Sequence, residues 1–146
     1  MVIGLWSAAV VPAGSQNARG TFDVTLKPLP AYDTAAGARA GRMSIDKVYR
    51  GDLDATSVGE MLTAMTAIKN SAGYVAIERV TGTLGGRRGT FALQHSATLD
   101  RGAQQLSIAV VPDSGTDDLT GLSGTMTITI AADGTHAYEF VYTLRP

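Results

Sequence analysis

Two runs of strand-forming residues meet at a pair of glycines, and that junction constrains this chain more than any other feature. Residues 74–84 (YVAIERVTGTL) and 88–99 (RGTFALQHSATL) are joined through Gly85-Gly86. Adjacent glycines tolerate the positive φ angles of a two-residue primed turn, the tightest link between antiparallel strands. Such a turn also sets the register, pairing residues whose numbers sum to about 171. Glu78 then lies opposite Leu93 and close to His95 on the same face.

Side chains alternate across a strand, so each run splits into two rows. In the first, Tyr74, Ala76, Glu78 and Val80 share one face, and Val75, Ile77, Arg79 and Thr81 share the other. Each row carries one charge. The bulkier β-branched row of Val75 and Ile77 would put Arg79 inside, and the aromatic and small row would put Glu78 inside; the shorter carboxylate fits a barrel interior more easily, which favours Glu78. In the second run Phe91, Leu93, His95 and Ala97 form a row that is apolar except for His95. It is the core row, against Ala92, Gln94, Ser96 and Thr98 outside.

The same reading extends along the chain. Residues 20–26 alternate Phe22, Val24 and Leu26 with polar residues, and 42–53 place Ile45, Lys47, Tyr49, Gly51 and Leu53 on one row. Residues 27–41, with two prolines, form a long connection. Residues 56–68 contain good helix formers, yet hairpin-like turns bound them and they read as a strand. Asn70 and Gly73 in the following turn suit positive φ. Further strands fall at 104–112, 125–134 and 135–144, and one helical turn is expected at 116–119. Eight strands with short links make a meander the simplest topology. The expected fold is therefore all-β, an eight-stranded antiparallel up-and-down β-barrel. A two-sheet sandwich is the alternative. Closure removes the sheet edges that such a Thr- and Val-rich chain would expose.

Composition narrows the functional classes. The chain has 146 residues, enough for one domain with a real core. Its 12 basic and 13 acidic side chains are dispersed and nearly balanced, so no basic stripe marks nucleic acid as a partner. Without cysteine there are no disulfides, thiolate metal sites or cysteine nucleophiles. The two histidines, His95 and His136, stand 41 positions apart with no metal-binding spacing around them, and no metal or other cofactor is expected.

Residues 1–18 read as a leader preceding a single barrel domain at 19–146. An apolar run from Val2 to Val11 is too short to span a bilayer, and stable membrane insertion is not expected. It resembles the apolar core of a secretory signal, with Ala13 and Ser15 at workable cleavage positions. A docked apolar leader is the other reading. The first implies export and the second a cytoplasmic protein.

The candidate site residues follow from the rows. Glu78 and His95 are the candidate catalytic pair, because a carboxylate that orients an imidazole equips it for proton transfer. A structural pairing of either residue is the competing reading. Tyr49, Glu60, Phe91 and Leu93 are candidates for lining a ligand site, with the Tyr49 hydroxyl expected at the barrel rim. No helix follows GGRRG (85–89), so it is not a phosphate cradle, and Arg87 and Arg88 read as turn charges.

The segments YRGDL (49–53), ERVTGTLGGRRGTFALQHSATL (78–99), VVPDSGTDDLTGLSG (110–124) and HAYEFVYTL (136–144) together resemble the bacterial family called domain of unknown function 3224. The resemblance covers roughly Arg19 to Leu144. It implies a barrel similar to allene oxide cyclases and dirigent proteins, which are often oligomeric, and so a possible homo-oligomer. It brings no activity with it. Three functions are compatible with these readings: binding of a small apolar or amphipathic molecule in the lumen or at the rim, a cofactor-free cyclase or isomerase using Glu78 and His95, and a structural or oligomerising module.

Overall fold

The computed structural model describes residues 14–146. Eight strands follow one another: β1 (Gln16–Leu29), β2 (Ala40–Gly51), β3 (Leu53–Met65), β4 (Ala72–Leu84), β5 (Arg87–Asp100), β6 (Ala103–Val110), β7 (Leu122–Ile130) and β8 (His136–Leu144). Each pairs antiparallel with the next, and β8 returns to β1, closing the barrel. A single 3-10 turn, Asp117–Leu119, interrupts the connection from β6 to β7. No helix among the described residues is long and apolar enough to cross a membrane.

The Gly85-Gly86 junction turns as its sequence requires, with φ of +54° and +84°. Glu78 pairs with Leu93 and Ala76 with His95, the register read from the glycines. Residues 56–65 are strand despite their helix formers. Tertiary pairing with β2 and β4 outweighs local propensity there, as is usual for strand-flanked segments. One local expectation is corrected. Asn70 has positive φ (+61°), but Gly73 already lies in β4, where it pairs with Thr98 in extended conformation. β1 begins at Gln16, and Ala18 is buried opposite Phe140. Most of the leader reading, from Val2 to Ala13, lies outside the described residues.

The interior is not uniform along its length. At one end Leu53, Leu84, Phe91, Leu122, Phe140 and Tyr142 fill the lumen, with Phe91 and Phe140 stacked at 5.8 Å. Leu119, brought in by the 3-10 turn, is also buried in this core. Tyr138 fastens the β2–β3 hairpin by donating to the Arg50 carbonyl at 3.0 Å and accepting from the Leu53 N–H at 2.9 Å. Gly20 makes this possible, since a Cβ there would lie 2.6 Å from the Tyr138 hydroxyl. The opposite end is hollow.

The ladders differ as well. β4 and β5 are paired from Ala72↔Leu99 to Leu84↔Arg87, whereas β6 and β7 share one registered pair, Ala109↔Thr125. The barrel therefore splays along the β6–β7 seam, with Gln104, Leu106, Ile128 and Ile130 on its two sides.

Candidate functional site

Inward side chains at the hollow end surround a cavity of about 480 Å³. Its wall is largely apolar: Phe22, Val24 and Leu26 from β1, Ile45 from β2, Met61 from β3, Leu106 from β6, and Ile128 and Ile130 from β7. Leu26 and Ile130 are exposed, and give the cavity an apolar lip. Tyr74, Gln104 and His136 add polar groups along the wall. The His136 ring packs on Phe22 at 5.1 Å.

Lys47 and His95 also line this cavity, and behind them lies a buried ionic cluster. Its centre is Glu78, which is fully buried. Glu78 Oε1 accepts hydrogen bonds from Lys47 Nζ at 3.0 Å, the Tyr49 hydroxyl at 2.9 Å and His95 Nε2 at 2.9 Å. Glu78 Oε2 accepts from Ser57 Oγ at 2.6 Å. The Lys47 ammonium also donates to the Tyr49 hydroxyl at 3.3 Å and sits 4.8 Å from the centre of the Phe22 ring.

Four strands, β2 to β5, assemble these groups through their registers. Lys47 faces Ser57 across β2 and β3, and Gly59 faces Glu78 across β3 and β4. Gly59 is required by its neighbour, because a Cβ there would stand 2.9 Å from Glu78 Cβ.

Burial by itself pushes the Glu78 carboxyl upward. The His95 hydrogen bond, the Lys47 charge and the Ser57 hydrogen bond outweigh it and hold the group down at about 2. Glu78 is thus a carboxylate and accepts every one of these bonds. The Tyr49 hydroxyl is pushed far up, first by burial and then by the Glu78 charge, and remains a neutral donor. Since a carboxylate accepts only, the hydrogen on the His95–Glu78 contact belongs to His95 Nε2.

The predicted site residues separate into groups. Glu78 and His95 point inward and touch, as their shared row requires. Only His95 reaches the cavity; Glu78 is sealed behind it. Tyr49 is wholly buried and its hydroxyl points at Glu78 rather than the rim, because its β2 position lies level with the carboxylate. Phe91 and Leu93 belong to the packed core and do not line the cavity. They sit further along β5, toward the filled end.

Glu60 is on the outer face, where it makes a bidentate pair with Arg42 at 2.8 and 3.0 Å. That pairing holds its carboxyl below the usual range. Its apolar row neighbours Val58 and Leu62 are exposed too, so that row faces away from the lumen. Two members of the cluster, Lys47 and Ser57, were missed. Lys47 carried a readable signal, a charge on the apolar Ile45–Tyr49–Leu53 row, of the same kind that marks Glu78 and His95.

Among the described residues, no group of three or more His, Asp or Glu is gathered to hold a metal.

These features define a class: a closed eight-stranded barrel, filled at one end and hollowed at the other over a buried lysine–glutamate–histidine cluster. The model of the family "Protein of unknown function (DUF3224)" matches residues 18–142, and the chain belongs to that family. It is similar to the crystal structure of a protein with unknown function from the DUF3224 family of Shewanella oneidensis MR-1. The two share 51% sequence identity and superpose with a TM-score of 0.86, covering 90% of this chain and 98% of the other. No curated protein matches the chain.

Proposed function

We propose that the protein binds a small, mainly apolar molecule in the hollow end of the barrel, with the molecule's polar end seated against Lys47 and His95. The observation that supports this is the cavity of about 480 Å³, apolar on its walls and lip and polar at its floor. Small-molecule sites have this size and composition, with few polar groups fixing orientation. An eight-stranded barrel is just wide enough to be filled by side chains or to hold one small ligand, and this one is filled at its other end.

The Glu78–His95 contact of 2.9 Å favours a second reading, a cofactor-free cyclase or isomerase of the allene-oxide-cyclase-like type. A shaped apolar cavity would hold a reactive molecule while an oriented imidazole handles its protons.

Titration with 8-anilinonaphthalene-1-sulfonate, an apolar fluorophore with an anionic end, tests the binding reading. One saturable site is expected, weakened about tenfold or more by Leu106→Trp, which puts an indole into the cavity. Equal affinity in Leu106→Trp and in Val24→Trp would overturn it. Native mass spectrometry of protein purified from its own host then identifies the occupant by mass.

A further inference from the structure

The floor of the cavity offers two groups of opposite hydrogen-bonding sense. In its neutral form His95 commits its one ring hydrogen to Glu78 through Nε2, which leaves Nδ1 with its lone pair. Among the described residues Nδ1 has no partner, and no side-chain nitrogen or oxygen there is both sealed off and unpartnered. Nδ1 is therefore the reachable nitrogen of a side chain that lines this cavity and also borders the outer hollow beside Glu60 and Gln94. The Lys47 ammonium has three hydrogens, of which Glu78 and Tyr49 take two. The third remains for the cavity. A lone-pair base and a cation side by side, under an apolar wall, match a carbonyl compound with an acidic C–H beside the carbonyl.

We infer that the site moves protons next to a carbonyl group, its substrates being apolar ketones or aldehydes with an enolisable C–H, with His95 as the base and Lys47 facing the carbonyl oxygen. This rests on the binding reading above and names its chemistry. For a β,γ-unsaturated ketone the step balances without any other reactant. The His95 Nδ1 lone pair takes a proton from the α-carbon, and the C–H electron pair becomes the new C=C bond. The carbonyl π pair moves onto oxygen, giving an enolate beside the Lys47 ammonium. The imidazolium then returns the proton to the γ-carbon as the enolate re-forms its C=O bond, and the alkene ends in conjugation. A preorganised cation at the oxygen that gains charge is the largest contribution such a site makes.

Glu78 touches no substrate in this scheme. It is a positioning residue that fixes the His95 tautomer, faces the transient imidazolium and anchors Lys47. The other titratable groups facing the cavity are Tyr74 and His136.

The test uses cyclohex-3-en-1-one in deuterium oxide. NMR follows deuterium at the α-carbon, and ultraviolet absorbance follows the conjugated product. The protein is expected to exceed the rate given by an equal concentration of free imidazole. His95→Gln should slow exchange about 10²-fold or more, and Lys47→Met about tenfold or more. Glu78→Gln should lower kcat with KM unchanged, a split that a merely structural role would not give. Leu106→Trp leaves the cluster in place and should also abolish exchange, which keeps the proposal testable where a cluster variant misfolds. Exchange no faster than with free imidazole, or undiminished in His95→Gln, would overturn the inference. If the fluorophore still binds in that case, only the proton transfer falls; if it does not, the binding reading falls too.

Discussion

The two ends of this barrel are built from the same alternating strands, yet one is packed and the other hollow. At the filled end the inward positions are aromatic or leucine: Phe91, Phe140, Tyr142, Leu53 and Leu84. At the hollow end the inward positions of β1, β6 and β7 carry Val24, Leu106 and Ile128, which are only partly buried and line the cavity. The buried cluster lies between them, with Tyr49 packed into the core and Lys47 and His95 on the cavity side. Buried volume is filled at one end, and charged side chains open onto the space left at the other.

The largest effect expected from this contrast is on stability. Phe140→Ala removes a fully buried ring stacked on Phe91 and should cost about 3–5 kcal/mol. Leu26→Ala, at the exposed lip, should cost less than about 1 kcal/mol. Urea denaturation followed by tryptophan-independent far-ultraviolet circular dichroism measures both. Comparable losses would mean that the two ends do not divide the work in this way.

The junction between the ends makes the next prediction. Glu78 is held at about 2 in the folded protein, against an ordinary value of 4.5. A depressed carboxyl contributes stability that is fully present above the unfolded value and is lost as pH falls toward the folded one. The cluster should therefore lose on the order of 3 kcal/mol between pH 4.5 and pH 2. Glu60 and Asp133 are also lowered, but both are solvent-facing. Glu78→Gln separates them: its stability deficit relative to wild type, large at pH 7, should shrink steadily as pH approaches 2. A deficit independent of pH would show that the carboxylate charge is not what the cluster uses.

How much of this was legible in the sequence depends on how many strands a feature involves. The Glu78–His95 contact needs only one hairpin. Gly85-Gly86 sets that register, and the apolar row of Phe91, Leu93 and Ala97 marks the inward face. The full cluster needs β2 and β3 aligned on that hairpin as well. Only Asp52 separates β2 from β3, and that one-residue link sets the register that brings Lys47 to Ser57, whereas the longer connection 66–71 precedes the β4 register that brings Gly59 to Glu78. Lys47 stayed hidden because a lysine in a strand is ordinarily solvated, although its row said otherwise. Glu60 misled for the opposite reason. Its row neighbours Val58 and Leu62 look like core yet face outward, and Ile77 across the ladder is exposed as well. The cavity itself had no sequence signal, since it arises from distances across the lumen rather than along any strand.

The smallest expected effect concerns the seam beside the cavity. β6 and β7 meet in a single registered pair, Ala109↔Thr125, so the backbone groups of Gln104 to Ser107 and of Thr127 to Ile130 lack ladder partners on that side. Backbone amides without such partners open at lower free energy than those of a continuous ladder. Hydrogen exchange should therefore be fastest, among the strands, on the seam-facing amides of β6 and β7. It should be slowest in β4 and β5, where pairing runs the length of both strands. Saturating the cavity with the anilinonaphthalene sulfonate should slow the seam amides by at least the factor set by mass action, and leave the filled end unchanged. Uniform protection around the barrel would show that the splay does not weaken it. Slowing confined to the filled end would place the bound molecule elsewhere.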